Sequence, residues 1–248
     1  MIGQNPQSPV ELLNQSTSDV LWFNSTSRDT GFWAISNGKV TGWQDLGAAG
    51  SGYNVAAVGD LLDTGTADVL WFSSATRDAG FWAISNGAVT GWDDLGPAGS
   101  GYALAGVGDF YGDGAKEVLW FNSASGDTGF WSLASNGAVT GWHDLGPAGS
   151  GYSVVGIGDY LANNTSDVLF ANSAGDTGYW VINNGAVTNW HDLGTAGSGY
   201  SVLSPPGDSM DTPASLTLLG GPLSPLGTSL DGTSPLPMLS DPVSARKA

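Results

Sequence analysis

The sequence of 248 residues predicts an all-β fold built from one unit that is repeated four times. First, the triplet Gly-Phe/Tyr-Trp recurs at a constant spacing, beginning at Gly31, Gly80, Gly129 and Gly178. Second, an Asn-Gly pair follows each triplet, and this pair indicates a β-hairpin because both turn residues need positive φ. Third, no stretch shows a helical apolar period of useful length. A long repeat that is rich in glycine and aromatic residues is typical of stacked or radial β units.

Each unit reads as four short strands. "DVLWFSS" and "GFWAISN" are β-branched and aromatic, the Asn-Gly turn folds the second onto "AVTGWDDLG", and "YALAGVGD" is a strand of small residues. Because these strands carry apolar residues on both faces, each sheet needs a neighbour packed face to face. We therefore predict a β-propeller of four-stranded antiparallel blades, with four complete repeats and a partial fifth. The small-residue strands are expected to line its axis, and a linear β-solenoid is the alternative.

The blades are expected at about residues 9–47, 53–96, 102–146 and 152–194, here called units 1 to 4, within a propeller domain of residues 9–203. Residues 204–248 form a tail rich in Pro, Ser, Leu and Gly that begins with a degenerate blade start. No aromatic residue follows Tyr200, so we expect this tail to be mostly disordered. The number of blades at ring closure stays open, and an unclosed ring would expose a sheet and favour a homo-oligomer.

Charge and composition exclude several classes of partner. The chain has 23 Asp and Glu residues against 6 Lys and Arg residues, a formal net charge of -17. Such a surface repels phosphate backbones and anionic membrane surfaces, so nucleic acid is not an expected partner. No apolar run is long enough to span a membrane, and residues 1–18 do not have the pattern of a signal peptide. Cysteine is absent, which excludes disulfides.

The stretch "GDFYGDGAKEVLW" places Asp109, Asp113 and Glu117 on a tight glycine turn, and carboxylate oxygens on such a turn are suitable ligands for Ca²⁺. The order "GVGDFYGDGAKEVLWFN…GDTGFW…NG" resembles FG-GAP/VCBS repeats, the integrin-α-like propeller blades of secreted bacterial proteins, over about residues 9–219. The resemblance implies a propeller with a binding or scaffolding role, located outside the cell or on its surface. The leading functional hypothesis is a non-catalytic repeat module for adhesion or display within a larger exported protein, with a glycan or a cell-surface protein as partner.

The resemblance also implies a calcium loop whose first, third, fifth and ninth positions supply oxygen ligands. Asp109, Asp113 and Glu117 match this pattern, whereas Tyr111 replaces the third ligand. The other two loops match it less well, and their candidate ligands are Asp60, Asp68, Asp159, Asn163 and Asp167. We expect weak calcium binding at Asp109. The alternative is a turn in which the first Asp caps backbone N–H groups and the ninth acid hydrogen-bonds at the start of a strand.

Tryptophan supplies the second set of candidate site residues. Two series are expected to fill the gaps between blades: the Trp of each Val-Leu-Trp, and Trp33, Trp82, Trp131 and Trp180. Each Trp-x-Asp motif adds a Trp and a carboxylate on the predicted outer strand: Trp43 and Asp45, Trp92 and Asp94, Trp142 and Asp144, Trp190 and Asp192. We expect these Trp residues to be core. If they are partly exposed, each pair would be a platform for a sugar, and the protein would be a multivalent lectin.

An enzyme is not expected. A glycosidase needs two carboxylates with different environments, whereas the acids of this sequence repeat in register from unit to unit. His143 and His191 occupy positions that Gln44 and Asp93 fill in other units, so we expect exposed, exchangeable sites there rather than a general base or a metal ligand.

Overall fold

A computed structural model describes residues 11–13, 18–195, 197 and 202 of the chain. The chain divides into two units, Met1–Ala214 and Ser215–Ala248, and every described residue belongs to the first. The predicted tail at 204–248, with its degenerate blade start, lies outside the described residues. The boundary predicted near residue 204 therefore stays a prediction.

Fifteen strands in four antiparallel sheets make up the described fold, which confirms the all-β class. The first sheet contains β1 (Val20–Phe23), β2 (Asp29–Ser36) and β3 (Lys39–Ala48). The second contains β4 (Asn54–Gly59), β5 (Asp68–Ser73), β6 (Asp78–Ser85) and β7 (Ala88–Pro97). The third contains β8 (Tyr102–Gly108), β9 (Glu117–Asn122), β10 (Asp127–Leu133) and β11 (Val139–Pro147). The fourth contains β12 (Tyr152–Gly158), β13 (Asp167–Asn172), β14 (Asp176–Asn183) and β15 (Ala186–Thr195).

Each sheet is formed by strands that are consecutive in the chain, as the sequence predicts for the repeat. Units 2, 3 and 4 have the predicted four strands, and unit 1 has three. Its expected first strand falls in a stretch of which only residues 11–13 are described, and these are not in a strand. Within the described residues, no helix is long and apolar enough to cross a membrane.

The Asn-Gly turns have the backbone that the sequence predicts in three units. Asn37, Asn86 and Asn184 all have φ of 50°, and the glycine that follows each also has positive φ. Unit 3 differs because its hairpin holds one more residue: Leu133 lies opposite Val139, and the N–H of Gly137 donates to the carbonyl of Ala134 at 2.8 Å. The extra residue replaces the two-residue turn by a longer loop.

Consecutive sheets pack face to face, and the hydrophobic cores lie between them. A large aromatic side chain of each later unit meets a Phe of the unit before it, in the edge-to-face pairs Phe23–Trp71, Phe72–Trp120 and Phe121–Phe170. The small-residue strand β8 lies next to both β4 and β12. The burial of both faces that the apolar strands predict is thus confirmed where a sheet has neighbours.

The first unit departs from this pattern. Trp71 and Trp120 are 0% and 1% exposed, but Trp22, at the corresponding position, is 46% exposed and packs edge-to-face on Trp33. Trp33 is 39% exposed. The expectation that these two residues fill a gap between blades is therefore wrong for unit 1, because no preceding sheet covers this face within the described residues.

Candidate functional site

The loops between the first two strands of units 2 to 4 are held by their first acid. The Oδ1 of Asp109 accepts the N–H of Gly112 at 2.6 Å, and its Oδ2 accepts the N–H of Gly114 at 2.8 Å. Asp60 caps the N–H groups of Thr64 and Gly65, and Asp159 caps those of Asn163 and Asn164. These contacts match the alternative to a metal loop, a turn in which the first Asp caps backbone N–H groups.

The ninth acid of each loop is buried and joins separate parts of its unit. In unit 2, the Oδ2 of Asp68 accepts the N–H of Leu61 at 3.0 Å, and its Oδ1 accepts the N–H of Ile84 in β6 at 3.0 Å. Asp167 makes the equivalent bonds to Tyr160 and Ile182, and Asp19 makes them to Leu12 and Ile35. In unit 3, the Oε2 of Glu117 accepts the N–H of Phe110 at 2.8 Å. Each of these carboxyl groups fastens its loop to the sheet.

Burial governs the protonation of these acids. Burial is the largest cause that raises the pKa of Glu117 to about 8; the charges of Asp109 and Asp113 add to the rise, and the hydrogen bond from Phe110 opposes it. Burial also raises the pKa of Asp68 to about 6, although the hydrogen bonds from Ile84 and Leu61 oppose this shift. The pKa of Asp167 is raised for the same reason. At neutral pH the Glu117 carboxyl is therefore mostly protonated in the metal-free chain.

The predicted calcium ligands are thus engaged in other contacts. Asp113 is exposed, and its Oδ1 accepts the N–H of Ala115, while the Oδ1 of Asn163 accepts two bonds from Thr165. Over residues 18–195, together with the few other described positions, no group of three or more His, Cys, Asp or Glu side chains is placed to hold a metal ion. Calcium binding stays a prediction that rests on the resemblance.

Tyr111 has a structural role at the third position of its loop. Its hydroxyl is within 2.9 Å of a ring nitrogen of His143, and its ring packs edge-to-face on Phe130. A side chain at Gly185 of unit 4 would meet the Tyr111 ring at 2.5 Å. His143 is accordingly half-buried rather than exposed, whereas His191 is exposed as expected.

Melting curves recorded with millimolar Ca²⁺ and with chelator test the metal hypothesis. If the loops serve only as backbone caps, as the hydrogen bonds to both oxygens of Asp109 allow, the two curves coincide. A rise in Tm with Ca²⁺ that is lost in Asp113→Ala and kept in Asp63→Ala would contradict this and establish the site. By mass action, stabilisation reaches about 2.7 kcal/mol when the ion is at a hundred times its Kd.

The Trp residues of the four Trp-x-Asp motifs lie on the surface. Trp43, Trp92, Trp142 and Trp190 are 52%, 43%, 42% and 39% exposed. The expectation that they are core is therefore wrong, and the partly exposed alternative is the arrangement found. Each indole covers the glycine of the Gly-Phe/Tyr-Trp triplet on the neighbouring strand: a Cβ on Gly80 would lie 2.2 Å from Trp92 Cζ2. Only glycine permits this approach, which fixes the position of the ring.

The Asp residues of the same motifs have a local structural role. The Oδ1 of Asp94 accepts the N–H of Gly96, two residues later in the chain, at 2.9 Å. The same bond is made by Asp45, Asp144 and Asp192. All four Asp side chains are exposed. Each motif thus presents an indole and a carboxylate on the outermost strand.

A tyrosine and a second acid complete this surface in units 2, 3 and 4. The hydroxyl of Tyr53 donates to Oδ2 of Asp78, and its ring packs edge-to-face on Trp92 with centroids 5.5 Å apart. The corresponding pairs are Tyr102–Asp127 and Tyr152–Asp176. The hydrogen bond to Asp78, followed by burial, raises the pKa of Tyr53 to about 12, so the phenol remains a donor. Sequence reasoning missed these acids, although an Asp stands two residues before each Gly-Phe/Tyr-Trp triplet.

A cavity of about 410 Å³ lies where units 1 and 2 meet. It is lined by Ala48, Ala49, Gly50, Tyr53, Trp71, Asp78, Trp82, Trp92 and Asp94. The structure therefore brings one predicted pair, Trp92 and Asp94, into a pocket. The other three Trp-x-Asp pairs do not line it.

Comparisons with known proteins bear on the fold. No family model matches the sequence, and no curated protein matches it. Among solved structures, a chain of the Tc holotoxin pore of Photorhabdus luminescens is similar, with a TM-score of 0.50 and 13% sequence identity. The similarity covers 75% of this chain but spans only 9% of that one. At this level of identity, the likeness is to a sheet-rich fold and extends no further.

Proposed function

We propose that this chain is a non-catalytic repeat module, used for adhesion or display by a larger exported bacterial protein. The observation that carries the proposal is the surface that each unit repeats: an exposed Trp fixed over a glycine, with an exposed carboxylate beside it. Catalysis usually needs one asymmetric set of groups, whereas this set recurs in register. A repeated set suits multivalent contact with a cell-surface protein or a glycan, in which weak contacts add through avidity.

The architecture that we propose for this module is a β-propeller of FG-GAP/VCBS type. Face-to-face packing of consecutive sheets supports it, as does the position of β8 between β4 and β12. The exposed face at Val20, Trp22 and Trp33 is where a further sheet would pack, whether it comes from this chain or from a second copy. A crystal structure with the sheets arranged around a common axis would support the proposal, and sheets stacked in a line would refute it.

A multivalent lectin is the second candidate, and the cavity at Trp92 and Asp94 is the observation that favours it. An indole face packs against the C–H groups of a pyranose ring, and a carboxylate accepts bonds from its hydroxyl groups. The net charge of -17 makes acidic glycans and nucleic acid unsuitable ligands.

Binding assays with the purified full chain separate these functions. Beads that carry the chain are expected to adhere to cells, and beads with all four Trp-x-Asp Trp residues changed to Ser are expected to adhere much less. If soluble saccharides from a glycan array compete, the module is a lectin; if none binds while adhesion persists, its partner is a protein. Equal adhesion by both bead types would contradict a role for the Trp surface. Hydrolysis of a glycoside that is lost on changing a single acid would contradict the non-catalytic proposal.

A further inference from the structure

The cavity between units 1 and 2 has the size and lining of a small-ligand site. Its volume of about 410 Å³ lies within the range of roughly 300–1,000 Å³ that is typical of such sites. One side is the short connection Ala48–Gly50, and the other side comes from unit 2. The connection is held in place by Arg28, whose Nε donates to the carbonyl of Gly50 at 3.1 Å while its own carbonyl accepts the N–H of Ala49.

Three indoles of graded exposure form the apolar part of the lining. Trp71 is fully buried, Trp82 is half-buried and Trp92 is 43% exposed. Trp71 and Trp82 pack edge-to-face with centroids 4.7 Å apart, and Tyr53 packs in the same way on Trp92. Because Gly80 lies beneath the Trp92 ring, that ring is fixed in position before any ligand arrives.

The charged groups of the lining are two carboxylates. Asp78 already accepts from Tyr53, and Asp94 uses Oδ1 for the N–H of Gly96. No Lys or Arg stands among the described residues that line the cavity. Two carboxylates beside indole faces suit either a polyhydroxylated ring or an organic cation.

Hydrogen bonding distinguishes these two ligand classes. The hydroxyl groups of a saccharide donate to carboxylate oxygens, whereas a quaternary ammonium ion has no N–H or O–H to donate. The Nε1–H of Trp71 adds nothing to this choice, because it is buried, as is that of Trp120 at the equivalent position of unit 3. A saccharide therefore matches more of the lining.

The equivalent junctions differ at the wall that faces the indoles. Ala48 pairs with Asp29 at the end of β3. The residues at the equivalent position are Pro97 in unit 2 and Pro147 in unit 3. Proline adds a ring where Ala48 leaves space. In unit 4, Phe170 stands at the position of Trp71 and brings no N–H donor. The Trp-x-Asp sites are thus chemically unequal.

We propose that this cavity is the principal ligand site of the chain and that it binds one pyranose ring of a neutral saccharide, with the ring on Trp92 and its hydroxyl groups directed to Asp78 and Asp94. The proposal rests on the lectin candidate and assigns that function to one junction.

Calorimetric titration of the full chain tests the assignment. The saccharide probes are the methyl glycosides of glucose, galactose, mannose, fucose and N-acetylglucosamine, and the cation probe is tetramethylammonium. We expect at least one glycoside to bind, with an affinity about tenfold lower in Trp92→Ala, a change worth about 1.4 kcal/mol. Asp94→Asn should also weaken binding, and Ala48→Pro should abolish it while leaving the melting curve unchanged. Trp22→Ala, an exposed Trp outside the cavity, is the matched control.

Other outcomes would overturn the assignment in distinguishable ways. Binding of tetramethylammonium without any glycoside would refute the ligand class. Glycoside binding that survives Ala48→Pro and falls equally in Trp92→Ala and Trp190→Ala would refute this cavity as the principal site and leave the lectin function intact. Failure of every glycoside, on the array as well as in solution, would refute both.

Discussion

Replacement of Asp68 by alanine is expected to destabilise the fold by roughly 2–6 kcal/mol, since it leaves two buried N–H groups without an acceptor at about 1–3 kcal/mol each. These donors belong to Leu61 and Ile84, which are 2% and 3% exposed and lie where water does not reach them. The measurement is the free energy of unfolding in urea at pH 7.

Asp60→Ala is the matched control for this prediction, because Asp60 also accepts two backbone N–H groups, those of Thr64 and Gly65. Both of these residues are exposed, so water replaces the lost acceptor and the expected loss is about 1 kcal/mol per bond or less. Asp68→Asn, which keeps the shape and one acceptor oxygen, should fall between the two alanine variants. Equal losses for Asp68→Ala and Asp60→Ala would show that burial of the carboxylate does not matter.

The stability of the fold should decrease as pH rises from about 4.5 to about 8, because of Glu117. Its pKa is raised from 4.5 to about 8 in the folded chain, so over this range the unfolded chain has lost the proton that the folded chain keeps. Unfolding then releases a proton, and a higher pH favours it. The full loss of stability is about 5 kcal/mol, and the part between pH 6.5 and 8 is about 2 kcal/mol.

Glu117→Gln isolates this effect, because glutamine keeps an acceptor for the N–H of Phe110 and does not titrate. Urea unfolding at pH 6.5 and pH 8 should show the decrease in the parent chain and little change in the variant. Most of the stability change that Asp68 causes occurs below pH 6.5, since its pKa is about 6. The same decrease in both proteins would assign the pH dependence to another group.

Local features of the sequence predict local structure well in this chain. The turn at Asn86-Gly87 is the one that the dipeptide favours, because both residues tolerate positive φ. The all-β class and the strand order within each sheet follow from the repeat. The hairpin of unit 3 shows the limit: one additional residue before Gly137 keeps the Asn-Gly pair but changes the turn. Pairing of the flanking strands, rather than the dipeptide, determines that loop.

Whether a tryptophan is buried depends on which sheets pack against it, and the residue pattern within one strand does not reveal this. Trp22 and Trp71 stand in the same pentapeptide, Asp-Val-Leu-Trp-Phe, yet Trp22 is 46% exposed and Trp71 is fully buried. The hydrogen-bond partner of Asp78 is not evident from the sequence either, because Tyr53 directly precedes β4 whereas Asp78 begins β6, two strands away in the sheet. For the loop acids, the sequence predicts two alternative roles, calcium ligand and backbone cap. The choice between metal ligand and cap depends on where the carboxylate oxygens point.

The aromatic contacts between consecutive units make the stability of each sheet depend on its neighbours. In such an array, the free energy is close to a sum of terms for single units and for the interfaces between them. Units 2 and 3 each share two interfaces, whereas units 1 and 4 each share one within the described residues. Fraying is therefore expected at units 1 and 4 before units 2 and 3. Since Trp71 belongs both to the interface between units 1 and 2 and to the cavity, a bound ligand would clamp unit 1 onto unit 2 and slow hydrogen exchange at the amino-terminal end of the array.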